Sequence, residues 1–316
     1  VNNWAKKLVK QREFVIFLIV VMLFVLMTIA SPYFLTRANL LAVMLGLSLE
    51  AIIAVAMVHL MVTGGFDMSV GSVVAFTGAS TALMLRSGMP VILAVVFGMC
   101  LGACIGLFNG LIVAKIGINP FVTTLSSLSL YRGLTLIVTR GQNVTGLPSS
   151  FKAIGQAKVF GIQTPIIICV VLLIIGDILL RKSRFFRQSY YIGGNEHAAR
   201  LSGIAVDKIK IFAYVLTGLF AAISGIVMTA RLGSASVTAG TGLELRVITA
   251  VIIGGASLSG GEGTILGAFL GTLLMGLISN ALTLIGVDVY WQTFVIGATL
   301  LTAVLIDTIS KKYKKS

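Results

Sequence analysis

The sequence predicts an all-α, polytopic membrane fold of about ten transmembrane helices, some of them discontinuous, with both termini in the cytoplasm. Three observations carry this expectation. The chain of 316 residues is 57% hydrophobic and only 11% charged, with a mean hydropathy of +1.05. A soluble domain of that length needs far more charge to cover its surface. Apolar runs recur at 13–31, 39–63, 68–86, 90–114, 119–139, 164–180, 209–230, 246–259, 264–285 and 289–307, most of them close to the roughly 20 residues that a helix needs to cross the hydrocarbon core. The basic residues gather at alternate connections. With the amino terminus inside, sixteen of the 24 Lys and Arg fall before the first run, at Lys115, between Arg181 and Lys210, or after residue 310. Such a bias marks the cytoplasmic side.

Taken in order, the runs form one transmembrane domain, 1–316, with no stretch long enough for a separate soluble unit. The first follows Lys6, Lys7, Lys10 and Arg12; it is too long for a signal-peptide core and reads as a retained span. The second holds Glu50 near its middle and His59 on the opposite helical face. Ionisable groups within a span are functional candidates by default. The fourth carries Gly98, Gly102, Gly106 and Gly110, and the ninth Gly263, Gly267 and Gly271. These stripes let another backbone approach closely, either around a moving pathway or in ordinary packing. Asn119 before Pro120 starts the fifth run as cap and first-turn proline. That run includes Tyr131 and Arg132, and Asp177 lies near the cytoplasmic end of the sixth.

Residues 140–163 are the longest periplasmic loop and 181–210 the longest cytoplasmic connection. Within the latter, "NEHAARLSG" reads as a short amphipathic helix capped by Asn195 and ended at Gly203. The eighth run is short and holds Gly254 and Gly255, which leaves a half-helix or a full span open. Cys100, Cys104 and Cys169 all lie in apolar runs and are expected to be buried small side chains.

The stretch "TGGFDMSVGS", 63–72, interrupts this apolar pattern with glycines, a carboxylate and serines. A P-loop is excluded because no lysine followed by Ser or Thr ends the motif, and the preceding run reads as a membrane helix. With only His59 and His197, no triad or metal cluster assembles. The net charge of +14 is placed beside spans, which makes it an orientation signal and not a nucleic-acid surface. What remains is a polar loop or a helix that stops and restarts, with Asp67 and Ser69 as caps. The second is favoured, since such backbone is tolerated where protein or a water-filled cavity covers it.

"TGGFDMSVGS", "GLFNGLIVAKIGINPFVTTL", "YYIGGNEHAARLSGI", "TAGTGLEL" and "VIIGGASLSGGEGT" together resemble the permease subunits of bacterial sugar ABC importers of the ribose type, in family order and nearly end to end. The resemblance implies a non-catalytic subunit of the bacterial plasma (inner) membrane. Its implied partners are a cytoplasmic ABC ATPase, a periplasmic or lipid-anchored sugar-binding protein, a second permease copy or paralogue, and membrane lipid. No cofactor is expected on this chain; ATP and Mg are used by the ATPase. Glu50, Gly64, Gly65, Asp67, Ser69, Asn109 and Phe121 are the candidate substrate-pathway residues. Gly193, Gly194, Asn195, Glu196, Ala198, Ala199 and Gly203 match the family's ATPase-coupling segment. Phe66 and Met68 stand where the family has Ile and Leu, and Glu50 where it more often has a neutral residue. The competing expectation is an ion-coupled secondary transporter working through Glu50 or Asp67.

Overall fold

The computed structural model describes residues 12–315; Lys6, Lys7 and Lys10, which carry part of the orientation argument, lie outside the described residues. Helices α1 (Arg12–Ala30), α2 (Arg37–Val62), α3 (Val70–Arg86), α4 (Val91–Leu111), α5 (Pro120–Thr139) and α6 (Ser149–Gln156) are followed by a hairpin of β1 (Lys158–Val159) and β2 (Ile162–Gln163). Then come α7 (Thr164–Lys182), α8 (Arg184–Gly194), α9 (Glu196–Leu201), α10 (Val206–Leu232), α11 (Leu243–Ile253), α12 (Ile265–Leu284) and α13 (Val289–Lys315). Among the described residues seven helices are long and apolar enough to cross a membrane: α1, α2, α4 with the π turn Ile112–Ile116, α5, α7, α10 and α12. The apolar stretches of α3 and α13 are shorter.

The middle of the bundle is α2. Every residue from Ala51 to Val62 is buried, because α7, α10, α11 and α12 all pack on it. Its start is capped by Thr36, whose hydroxyl accepts from the Asn39 amide. It ends at Gly64, held at φ +84, a left-handed conformation natural only to glycine.

The glycine stripe of the fourth run is the seam between α4 and α10. A Cβ on Gly102 would meet the Gly218 backbone, and one on Gly106 the Tyr214 backbone. The matches run 98 to 226, 106 to 214 and 110 to 211, so the two helices are antiparallel. In the same way Gly267 and Gly271 seat α12 against Gly254 and Ala250 of the α11 region. Both stripes are therefore close helix contacts. Cys169 is buried as expected, but Cys100 and Cys104 are exposed. They sit in α4 off the glycine face that meets α10, so the general burial habit of cysteine gives way to helix phase.

The eighth apolar run forms only the 11-residue α11, about 16 Å at 1.5 Å per residue and too short for a hydrocarbon core of roughly 30 Å. Helix α3 has 17 residues, about 25 Å. Each is preceded by non-helical chain, 63–69 before α3 and 233–242 before α11. Two parts of the sequence reading need revision. The 140–163 loop is organised: α6 buries Phe151, Gly155 packs on the Ala230–Arg231 backbone of α10, and Val144 bridges to Ala235. The 181–210 connection holds two helices, α8 and α9, where one was expected.

Candidate functional site: two interrupted helices and a helical hairpin

The chain leaves α2 at Val62, whose carbonyl accepts from the Gly261 amide at 2.9 Å. It then turns back into the protein as non-helical backbone. Gly65 lies against the Leu60 side chain and the Tyr214 hydroxyl, which donates to the Phe66 carbonyl at 3.2 Å. Asp67 is 1% exposed and Ser69 0%. The Asp67 Oδ1 accepts from both the Ser69 amide, at 2.7 Å, and the Ser69 hydroxyl, at 2.5 Å. Asp67 thus closes the turn that restarts the chain as α3. Ser69 occupies the N-cap position but its hydroxyl makes no capping bond there, because it is spent on Asp67.

The network continues sideways. Asn109 of α4 donates from Nδ2 to the Ser69 Oγ at 3.1 Å and to the Asp67 Oδ2 at 3.4 Å. Ser127 of α5 donates to the Asn109 Oδ1 at 2.6 Å. Four buried polar side chains from three segments satisfy one another, which fixes the geometry of the turn. Asp67, Ser69 and Asn109 were marked in the sequence; Ser127 was not, for nothing local distinguishes it from the other hydroxyls of α5.

The second interruption mirrors the first. Gly240 and Gly242 have φ of +66 and +76, and α11 begins at Leu243 with Glu244 in its first turn, where a carboxylate suits the helix dipole. Gly71 and Gly240 touch backbone to backbone, leaving no room for a Cβ at either. The amino ends of α3 and α11 therefore meet, and the helices run apart from that point. Gly78 of α3 goes on to meet Gly225 and Thr229 in the last third of α10. The far end of α11 returns through Gly260 and Gly261 to Gly64 and Gly193. Opposed half-helix termini inside a bundle are an arrangement that presents backbone donors and dipoles to a solute.

Charged side chains surround this junction. Arg132 of α5 donates from Nη1 to the carbonyls of Val237 and Ala239, at 3.0 and 2.9 Å, and so holds the extended segment before α11. Glu50 of α2 has a partner that the sequence did not reveal: Arg246 in α11, Nη1 to Oε1 3.4 Å. Phe121 sits apart, 48% exposed in the first turn of α5, with its ring centroid 6.4 Å from Phe66.

At the end of the bundle that holds Val62, α8 and α9 fold back on α10. Asn195 caps α9 by accepting from the Ala198 amide at 3.0 Å, and Gly203 ends it at φ +80. Ala199 is buried with Ile192, Val206 and Ile209 in a small core of its own, whereas Gly194 has open space around it. Gly193 packs against the Val62 carbonyl and the Gly260–Gly261 backbone. Glu196 pairs with Arg200 at 2.9 Å and Lys210 at 2.5 Å, and Arg200 with Asp207 at 2.6 Å. Partial burial pushes the Glu196 carboxyl up, but the bonds from Lys210 and Arg200 outweigh it and leave it below its ordinary value. An open groove of 510 Å³ runs between α8 and α9, with Tyr190, Tyr191 and Ala198 among its walls.

A family profile described as "Branched-chain amino acid transport system / permease component" matches residues 39–304. The chain belongs to this family, among its ribose-type sugar permeases. It is 41% identical to the ribose import permease protein of Bacillus subtilis (strain 168), over 92% of this chain and 91% of that one. To the ribose import permease protein of Escherichia coli (strain K12) it is 40% identical, over 95% and 94%. The L-arabinose transport system permease protein of the same strain is 38% identical, over 93% and 90%. No solved structure matches. The chain is a multi-pass protein of the bacterial inner membrane and a permease subunit of a sugar ABC importer.

Proposed function

We propose that this permease carries ribose or a sugar of similar size through the junction of α3 and α11, with the energy of ATP delivered by a separate ATPase at α8 and α9. The observation that carries the reading is the meeting of two interrupted helices at Gly71 and Gly240, ringed by Glu50, Arg132, Glu244 and Arg246. A sugar needs many oriented hydrogen-bonding groups and little net charge, and charged side chains of both signs beside the ends of two half-helices suit it. The Gly193 contact supports a mechanical role for 181–210. It joins the cytoplasmic hairpin to the loop that turns α11 into α12, and hence to the junction itself. In this reading Asp67 is the rivet of the α3 restart, and the chain binds no cofactor of its own; ATP and Mg stay with the ATPase. A sugar-binding protein on the opposite face and a second permease copy or paralogue complete the assembly.

The test is reconstitution into liposomes. With ATPase and binding protein present, labelled ribose should accumulate only when ATP is enclosed on the ATPase side. The permease alone should accumulate nothing under an imposed proton or sodium gradient. Gradient-driven uptake by the purified chain would reverse the conclusion in favour of an ion-coupled transporter.

A further inference from the structure

Between α7 and α12 the flank of the bundle holds a groove of 330 Å³, at the low end of the roughly 300–1,000 Å³ range of small-ligand sites. Its walls include Ile174 and Ile178 of α7 and Leu266 and Phe269 of α12, and its lining also includes Asp177 and Arg181. Ile174, Ile178 and Leu266 are 55%, 48% and 48% exposed on helices built to cross a membrane, so this face is set toward apolar surroundings. Arg181 lies in the last turn of α7, and the groove takes in the first residues of α12. Both are at the end that carries 181–210, which the basic bias assigns to the cytoplasm. The groove therefore runs from the inner membrane surface into the inner leaflet.

The polar end has unused capacity. The Arg181 Nε donates to the Asp177 Oδ1 at 2.8 Å. Among the described residues no other bond is recorded for either side chain, and they are 61% and 34% exposed. That leaves both guanidinium Nη groups and the second carboxylate oxygen without a hydrogen bond among the described residues, an acid and a base side by side.

We infer that this groove binds one inner-leaflet phospholipid whose headgroup carries both a phosphate and a primary ammonium, that is, a phosphatidylethanolamine. The phosphate takes the two Nη groups in a fork, a geometry that guanidinium favours. The ammonium donates to the Asp177 Oδ2, and one acyl chain lies along Ile174, Ile178 and Leu266. An anionic headgroup such as phosphatidylglycerol would set its charge beside Asp177 with only neutral hydroxyls, and no ammonium, to donate. A choline headgroup has no N–H at all.

Native mass spectrometry of the purified permease tests this, with phosphatidylethanolamine, phosphatidylglycerol and phosphatidylcholine of matched chains added at equal concentration. The expected result is one retained phosphatidylethanolamine per chain, preferred about tenfold, the worth of one charge-assisted hydrogen bond. Asp177→Asn should erase the preference over phosphatidylglycerol, and Arg181→Gln should weaken retention of all three headgroups. Ile174→Trp, at an exposed position that the fold tolerates, should block retention with the melting temperature unchanged. Phosphatidylglycerol held as tightly as phosphatidylethanolamine, or an Asp177→Asn variant with its preference intact, would defeat the assignment. So would an Ile174→Trp variant that dissociates a permease dimer in light scattering while keeping its lipid, since the face would then be a protein interface.

Discussion

The pair of Glu50 and Arg246 offers the sharpest perturbation, because it ties the buried helix α2 to the first turn of α11. At 3.4 Å two unit charges in an effective dielectric of about 20 attract by roughly 5 kcal/mol. Glu50 is 15% exposed but Arg246 is 37% exposed. Solvent around the guanidinium and the cost of stripping water from the carboxylate reduce the net coupling to about 1–3 kcal/mol. The assay is a double-mutant cycle with Glu50→Gln, Arg246→Gln and the double variant, unfolded in mixed micelles, alongside ATP-driven uptake at equal expression. Arg246→Gln should be the costlier single change for stability, since it strands a largely buried carboxylate. Uptake should fall in both single variants, and the double variant should be more stable than additivity allows. A coupling below about 0.5 kcal/mol, the level at which independent sites add, would refute the pairing. Loss of uptake in Glu50→Gln alone, with Arg246→Gln fully active, would instead make Glu50 a direct sugar ligand.

Two further outcomes concern the α8–α9 hairpin. Gly193→Val forces a side chain into the Val62 carbonyl and the Gly260–Gly261 backbone, and Gly203→Val places a β-branched residue at φ +80, each at a cost of about 1–3 kcal/mol. Both should reach the membrane yet uncouple ATP hydrolysis from uptake, read as the ratio of phosphate released to sugar imported. Equal ratios in variants and parent would reduce 181–210 to a solvated connection. Glu196 gives a pH prediction. Its carboxyl titrates lower in the folded protein than its ordinary 4.5, so its stabilising contribution is present above that value and lost as pH falls through the folded one. Amide exchange over 195–210 should therefore lose protection as pH falls below about 4.5 after correction for intrinsic rates, and Glu196→Gln should remove that dependence.

Local chemistry made much of the molecule legible. A helix that stops at a glycine and restarts behind an Asx turn is encoded within 63–72, so "GGFDMSVGS" could be read as an interrupted helix directly. Asn195 and Gly203 likewise mark both ends of α9 within nine residues. The counterpart before α11 was harder to see. The eighth run looked weak because of its length and Gly254, yet the decisive glycines are Gly240 and Gly242 ahead of it. They lie in a polar stretch that reads like any external loop.

By itself the sequence determined the solvent, the class and the local breaks. Hydropathy, basic bias, caps and glycine spacing act over a few turns of chain, and nothing distant is needed to interpret them. Only the tertiary structure decided what those features are for. Glu50 and Arg246 are 196 residues apart and Asp67 and Asn109 are 42 apart, and no periodicity within a single helix reports such a meeting. Burying an ionisable group demands a partner, but the demand does not name one. The choice is made by which helices a glycine stripe allows to touch, and that is settled by packing the whole bundle at once.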